Sequence, residues 1–484
     1  MHTLPGVEGF MYPNEMELQW SILIVLYPFI TGLVAGAFIL ASLERVFRVE
    51  AVKPTYRLAL LTALAFMLVA PLPLQLHLGH PERSLQMFTT PHTTSAMAMF
   101  GFVYLWYLLA VLVIEIWLEY RPLIVRRASS EKGILRLFYR ILTLGSTNLS
   151  PRSLEIDDRV GRFITVIGIP SAFLLHGYVG FIFGSIKANP WWSTPLMPIV
   201  FLFSAIVSGI AAVLLIYIIY CKSKKIPIDA PCLDTIAKYL YYAFIVDFSL
   251  EMLDLIHRIY VADESFQSLD FMVKTKLYGS HILLQIGLGT LVPLGLLALT
   301  QTKQFSIVVR QRIYAVAAAL TLVGIFAMRW NVVIGGQLFS KSFLGYTTYK
   351  MGFATREGLL PALIVMALPI FILWALVKLF PPMDEATPEA KAAAAAYRCG
   401  AAFAGSPSDA GAWALRHSGS KAGSYLRRGR PLWIPSARAP LAGQEASLEV
   451  WGHTNGTHIF VCPICVSPGW GLCPLSGRDG VRVW

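Results

Sequence analysis

Nine long apolar blocks lie between residues 20 and 380 of this 484-residue sequence. Each is close to the roughly 20 residues that a helix needs to cross the hydrocarbon core of a bilayer. Within the blocks, apolar residues follow one another without the regular alternation with polar residues that amphipathic strands and helices show. We therefore predict an all-α fold, a polytopic transmembrane helical bundle of about nine spans.

The predicted spans differ in how cleanly their apolar runs continue. Pro71 and Pro73 interrupt the second span, and several ionisable residues, among them three carboxylates, lie within the sixth. The nine spans run near Trp20–Leu43, Arg57–Leu76, Ser95–Leu118, Arg162–Ile186, Pro198–Tyr220, Thr235–Arg258, Leu277–Thr300, Ile313–Gly335 and Leu359–Phe380.

Composition excludes the other broad classes of protein. The chain is 56% hydrophobic and only 14% charged, whereas soluble domains carry about 25% charged residues. An ordinary soluble enzyme and a disordered chain are therefore excluded. The six cysteines do not define a disulfide scaffold, because four of them lie in the last hundred residues.

Basic residues in the connections between spans predict the orientation of the bundle. The connection after the third span holds eight of them between residues 121 and 159, whereas Arg83 stands alone after the second span and Lys187 after the fourth. By the positive-inside rule, the N-terminus lies outside and the C-terminus inside, which agrees with an odd number of spans. The net charge of +12 is then explained by topology and does not call for nucleic acid as a partner.

The sequence changes character after the last apolar block. Residues 1–385 form the predicted transmembrane domain, and residues 386–484 form a low-complexity tail that we predict to be disordered. Cys462 and Cys465 in this tail have the spacing of half a zinc site, but no second matched pair accompanies them. We therefore predict no metal site.

The sixth span contains ionisable residues that lipid does not tolerate on its own. At roughly 100° per residue, Asp247, Glu251, Asp254 and Arg258 fall within about 60° of one another on one helix face. Ionisable residues inside a span usually face the bundle interior or water and mark functional sites. We interpret the stripe as a proton path, and the alternative is a static ion-pair network that holds the sixth span against its neighbours.

Two further spans place polar residues in the same outer half of the membrane. Arg329 in the eighth span needs an anion, and the carboxylates of the sixth span are candidates. His281 in the seventh span lies four residues before Gln285, so the two share one helix face. The predicted proton path therefore comprises Asp247, Glu251, Asp254, His281 and Arg329.

A second group of polar residues lies at the outer ends of the first four spans. A quinone site needs an apolar slot, hydrogen-bond partners for both carbonyl oxygens and a titratable group that exchanges protons. Histidine, glutamate and tyrosine at one membrane level supply these functions, although each histidine alone is also typical of a structural interfacial residue. The predicted quinone-binding residues are Glu17, His77, His80 and Tyr178.

Haem is the alternative that the histidines leave open. The histidines inside spans are His176, His257 and His281. One bis-histidine pair is geometrically possible, but the pattern of two pairs is not present.

Four motifs resemble the NrfD/PsrC family, the integral membrane subunits of polysulfide-reductase-type complexes. They are the run from Tyr27 to Phe38, the His-Leu-Gly-His-Pro-Glu-Arg block at 77–83, the Trp-Trp-Ser-Thr-Pro-Leu-Met-Pro segment at 191–198, and Arg329 to Gln337. The resemblance covers roughly residues 10–380. Nine spans resemble the longer members of the family, of the DsrP and HybB types.

The resemblance implies a haem-free bundle in the inner (cytoplasmic) membrane that exchanges electrons between membrane quinone, either menaquinone or ubiquinone, and an attached subunit. That partner is expected to be an extracytoplasmic ferredoxin-like iron–sulfur subunit, in sulfur-compound metabolism. A multihaem cytochrome c and further membrane subunits are other expected partners. The chain has no cysteine set with the spacing of iron–sulfur ligands, so we expect it to pass electrons through such a partner.

Two other functions stay open at this point. A secondary transporter uses charges at the membrane midplane and often shows internal repeats, and no clear sequence repeat relates the halves of this chain. A purely structural anchor would hold electron-transfer subunits without a quinone site of its own.

Overall fold

The computed structural model describes residues 7–261 and 265–383. In these ranges the chain is almost entirely helical, and the one pair of strands, β1 (Glu8–Gly9) and β2 (Gly345–Tyr346), is antiparallel. The helices are α1 (Ile22–Arg45), α2 (Lys53–Val69), α3 (Leu72–His77), α4 (Gln86–Thr89), α5 (Ala96–Trp106), α6 (Ile114–Ser130), α7 (Gly133–Leu142), α8 (Pro151–Gly184), α9 (Met197–Lys224), α10 (Ala230–Val261), α11 (Phe266–Thr275), α12 (Val292–Thr302), α13 (Ile307–Val333) and α14 (Leu359–Leu379).

The prediction of an all-α polytopic bundle is confirmed. Eight helices among the described residues are long and apolar enough to cross a membrane. The predicted sixth span forms α10, a helix of 32 residues whose charged stripe sets it apart from those eight. The tail and its Cys462–Cys465 pair lie outside the described residues.

The break at the prolines of the second span is also confirmed. Helix α2 ends at Val69, and the short helix α3 starts at Leu72 after Pro71. We use "outer end" for the end of the bundle that carries the residues before α1, which the charge pattern predicts to face outside. Helix α3 lies at this end, as do the strands β1 and β2.

Helices α1 and α9 form the centre of the bundle. A Cβ atom on Gly36 of α1 would overlap the carbonyl oxygen of Ala205 in α9, and one on Gly209 would overlap the Cα atom of Gly36. Only glycine permits this approach, so the two backbones touch directly. Helices α2 and α8 pack on α1, and α10 and α13 pack on α9, with α8 also packing on α9. Helices α5 and α6 pack on α8, and α12 packs on α10 and α13. We call α1, α2, α5, α6 and α8 the first helix group and α9, α10, α12 and α13 the second.

The third span of each group contains a π-helical stretch. In the first group, Tyr107–Val113 joins α5 to α6, and in the second, Tyr278–Leu291 precedes α12. Such stretches are rare in helices and often lie at functional sites. Here each lies next to a buried polar group described below.

Candidate functional site

The predicted outer residue His77 ends helix α3 and contacts a residue far away in the sequence. Its Nδ1 atom lies 3.0 Å from a carboxylate oxygen of Glu357, in the segment just before α14. The neighbouring Arg356 donates a hydrogen bond to the carbonyl oxygen of Leu78. Burial raises the pKa of Tyr349, and the nearby Glu357 carboxylate adds to this effect. The connection before α14 thus closes over the outer end of α3.

A cavity of about 560 Å³ lies beside this contact. Its walls are mainly apolar, with Gln75 and Arg356 as the polar members, and Ile364 in its wall is 59% exposed at the surface of the bundle. The lining residues are Leu72, Gln75, Leu76, Pro81, Arg356, Ile364, Val365 and Leu368.

None of the four predicted quinone-binding residues lines this cavity, but His77 directly follows its lining residue Leu76. His80 is exposed and pairs with Glu82 at 3.0 Å. Tyr178 donates its hydroxyl hydrogen to the carbonyl oxygen of Ala96 at 2.9 Å. Glu17 is exposed before α1. The structure therefore separates the four residues, and His77 is the one beside a large apolar cavity.

A buried polar network crosses the centre of the bundle. The Nδ1 atom of His176 in α8 lies 3.3 Å from the hydroxyl of Thr31 in α1, and its Nε2 atom lies 3.0 Å from the guanidinium of Arg329 in α13. Arg329 also donates to the hydroxyl of Ser204 in α9 at 2.7 Å, and its guanidinium lies over the ring of Phe201. Both His176 and Arg329 are fully buried. The network therefore joins the helix groups around α1 and α9.

The carboxylates predicted as counter-ions of Arg329 interact with it electrostatically, without a direct hydrogen bond among the described contacts. Asp247 and Glu251 both interact electrostatically with its guanidinium, while its hydrogen bonds go to the groups just described. Asp247 is 2% exposed, and its Oδ1 atom has no hydrogen-bond partner among the described residues. The acidic stripe of α10 thus faces the buried arginine, as its position in the sequence predicts.

A second cavity, of about 110 Å³, lies where the stripe meets the seventh and eighth spans. The Nε2 atom of Gln285 lies 3.5 Å from both carboxylate oxygens of Glu251, and its Oε1 atom lies 2.9 Å from Nδ1 of His281. Asn331 donates to the same Oε1 atom at 2.8 Å. Glu251, Asp254, His281, Gln285 and Asn331 all line this cavity. Of the predicted proton-path residues, Glu251, Asp254 and His281 come together here, whereas Asp247 and Arg329 do not line the cavity.

Arg258 separates this cavity from a third one of about 140 Å³. Its guanidinium pairs with Asp254 at 2.9 Å and donates to the carbonyl oxygens of Pro190 and Trp191. Thr194 donates to the other oxygen of Asp254 at 2.5 Å. Both Thr194 and Arg258 line the two cavities, so the Asp254–Arg258 pair forms the wall between them.

Sequence reasoning missed two functional candidates. Glu357 lies 280 residues from His77, and no local pattern links them. Glu115 in the third span is 1% exposed, and its position inside an apolar block is the signal that could have found it.

The fold and these buried polar groups define a class of protein, a multi-pass integral membrane protein with ionisable side chains inside its bundle. The model of the family described as NrfD, polysulphide reductase, matches residues 12–341. The chain belongs to this family, so the family resemblance predicted from its four motifs is confirmed.

Three relatives are similar to parts of the chain. A selenate reductase subunit from Mesobacillus selenatarsenatis is 35% identical over 212 residues, which are 43% of this chain and 50% of the relative. A putative dimethyl sulfoxide reductase membrane subunit from Halobacterium salinarum is 30% identical over 58% of this chain and 61% of its own length. Protein NrfD of Escherichia coli is 28% identical over 43% and 62%. The chain thus spans about half to three fifths of the length of these relatives.

Proposed function

We propose that the protein is the membrane subunit of a quinone-linked oxidoreductase complex. It exchanges electrons between membrane quinone or quinol and an extracytoplasmic iron–sulfur subunit. The family and the relatives named as reductase subunits support membership of a redox complex. The observation that carries the quinone reaction is the cavity of about 560 Å³ beside His77 and Glu357.

The cavity suits a quinone in size and chemistry. Ligand sites of drug-sized molecules are clefts of about 300 to 1,000 Å³ with mostly apolar walls and a few polar groups. Gln75 and Arg356 supply hydrogen-bond donors for the carbonyl oxygens of the head group. Since Ile364 in its wall is exposed, an isoprenoid tail reaches the lipid without crossing the bundle.

His77 and Glu357 supply the proton chemistry. Oxidation of a quinol releases two electrons, which leave through the partner subunit, and two protons. With Nδ1 of His77 held by the Glu357 carboxylate, the other ring nitrogen is the atom that accepts a proton, and the carboxylate stabilises the imidazolium. Reduction of a quinone runs the same steps in reverse.

Quinol oxidation by the complete complex tests this proposal. We expect His77→Ala to lower the turnover by roughly 10²-fold, the usual contribution of a positioned acid–base group, and Glu357→Gln to lower it less. His80→Ala is the matched comparison, and we expect a smaller loss because this side chain is exposed. Unchanged turnover in His77→Ala, with unchanged binding of the quinone analogue 2-heptyl-4-hydroxyquinoline N-oxide, would contradict the proposal.

A proton path through the second helix group is the second candidate function. Its support is the cavity lined by Glu251, Asp254 and His281, together with the unpartnered Oδ1 atom of buried Asp247. Protons would pass between carboxyls and reach the outer end past Arg258. In proteoliposomes, we expect Glu251→Gln to abolish proton transfer coupled to quinol oxidation while electron transfer continues. An unchanged ratio of protons transferred to quinol oxidised in this variant would contradict the proton path and favour the static ion-pair network.

We also propose how the chain is oriented and in which membrane it lies. We place the chain in the inner (cytoplasmic) membrane with its N-terminus outside, so that the His77 cavity faces an extracytoplasmic partner. In a cysteine-free background, Gln86→Cys should react with a membrane-impermeant thiol reagent in intact cells, and Ser129→Cys only after lysis. The reverse labelling pattern would contradict this orientation and place the N-terminus inside.

A further inference from the structure

Glu115 is a buried carboxyl in the first helix group, far from the groups used above. It lies in the first turn of α6, directly after the π-helical stretch Tyr107–Val113. Its Oε1 atom accepts hydrogen bonds from Tyr56 of α2 at 3.1 Å and from Thr165 of α8 at 2.8 Å. Two hydroxyl groups from two different helices thus hold one oxygen of this carboxyl.

The other carboxyl oxygen has no such partner. Among the described residues, Oε2 of Glu115 is buried without a hydrogen bond, and so is the hydroxyl of Tyr107, which interacts electrostatically with Glu115. A buried polar atom without a partner costs about 1–3 kcal/mol and needs an explanation. A proton on the carboxyl lowers this cost, because a neutral carboxylic acid is much less costly to bury than a charged carboxylate.

The charged groups that face Glu115 are few. They are Arg45 at the end of α1 and Glu119 on the same helix as Glu115, and they act with opposite signs. Tyr56 and Tyr107 are the other titratable groups near it. The guanidinium of Arg45 pairs with Glu119 and Asp158. These two carboxylates partly neutralise its positive charge, so its electrostatic attraction for Glu115 is weakened.

A cavity of about 620 Å³ at the inner end of the bundle reaches the neighbours of Glu115, although Glu115 itself does not line it. Arg45, Tyr56 and Glu119 line it, and all three interact with Glu115. Acidic side chains in its wall differ widely in exposure, with Glu50 at 80%, Asp158 at 49% and Glu119 at 15%, while Glu115 itself is 1% exposed.

We propose that Glu115 is a proton-binding site that exchanges protons with the inner aqueous phase through this cavity. Glu119 is the relay, since residues four apart lie on the same helix face. A proton moves from water in the cavity to the Glu119 carboxylate and from there to Glu115. No electron moves and no other bond changes. This site belongs to the first helix group and is separate from the predicted proton path of α10.

Infrared spectroscopy of the full chain in lipid nanodiscs tests the proposal without any quinone. We expect Glu115→Gln to remove one carbonyl band of a protonated carboxyl, because glutamine keeps the hydrogen bonds from Tyr56 and Thr165. In the unaltered protein, this band should shift on transfer to D₂O. Glu119→Gln should slow that exchange roughly tenfold or more, since a positioned relay group is lost.

Glu50→Gln is the matched control, because this exposed carboxyl also lines the cavity but does not interact with Glu115 or Arg45, and it should leave the exchange rate unchanged. If Glu115→Gln does not fold, Tyr56→Phe should shift the same band, because it removes one hydrogen bond to the carboxyl. Three results overturn the proposal. They are no carboxyl band that depends on Glu115, a band that does not exchange in the folded protein, or exchange that Glu119→Gln leaves unchanged.

Discussion

The two helix groups both bury carboxyls, but they stabilise them in different ways. In the first group, neutral hydroxyls from Tyr56 and Thr165 hold Glu115. In the second group, Asp247 and Glu251 face the full charge of Arg329, which is itself bonded to His176 of the first group. The second group therefore depends on a cation that both groups share, whereas the first holds its carboxyl with its own donors.

Removal of the shared cation should have the largest effect. Arg329→Met leaves Asp247 and Glu251 without their counter-charge, and an uncompensated buried charge costs about 3–5 kcal/mol. We expect a sharp fall in the thermal unfolding temperature of the purified protein, or no folded protein at all. Adding Asp247→Asn should restore part of this loss, because one buried charge is removed. A double variant no more stable than Arg329→Met would contradict the dependence of the second group's carboxyls on the charge of Arg329.

The contact between the groups should show the next largest effect. Gly209→Ala places a Cβ atom against the backbone of α1, and overpacking of this kind costs about 1–3 kcal/mol. Gly295→Ala in α12 is the matched control, because a Cβ there meets no atom within 4 Å. We expect it to be neutral or slightly stabilising, since alanine favours helix. Equal unfolding temperatures for both variants would argue against direct backbone contact.

The first group should tolerate the loss of one neutral donor. Tyr56→Phe removes one of two hydroxyl bonds to Glu115, and a single hydrogen bond contributes about 0.5–1.5 kcal/mol to stability. The unfolding temperature should therefore fall much less than in Arg329→Met. A loss as large as that of Arg329→Met would mean that Glu115 is held as a charge.

The smallest effect on stability is expected at the wall between the two cavities of the second group. Asp254 and Arg258 are an i,i+4 pair at the end of α10, and such pairs contribute about 0.3–0.5 kcal/mol. Asp254→Asn should barely change the unfolding temperature, because Arg258 keeps its bonds to the Pro190 and Trp191 carbonyls. A large drop would show that the pair holds the outer segment in place.

The sequence predicted the second group more completely than the first. The acidic stripe of α10 has helical spacing, so its shared face can be found by counting residues, and Arg329 stands out as a charge in an apolar run. His77 was found from a motif, but its partner Glu357 comes from a distant connection, and only the folded chain places them together. Glu115 was overlooked although the same rule of charges inside spans applies to it.

Three predicted quinone residues illustrate a second limit. The sequence predicts the same membrane depth for His77 as for Glu17, His80 and Tyr178. Depth alone does not determine which way a side chain points around a helix or in a loop. Tyr178 points to a backbone carbonyl and His80 to the adjacent Glu82. Their roles in quinone binding stay predictions, and His80→Ala tests one of them.

The burial of α1 has a consequence for how the protein is made. This helix leaves the ribosome before α9, yet 94% of its most apolar stretch is enclosed in the finished bundle. It must first rest in lipid and later exchange lipid contacts for those of α9, which is synthesised more than 150 residues later. Because its surface is largely apolar, lipid is an adequate first solvent for this helix. The absence of a side chain at Gly36 leaves the surface to which α9 binds later.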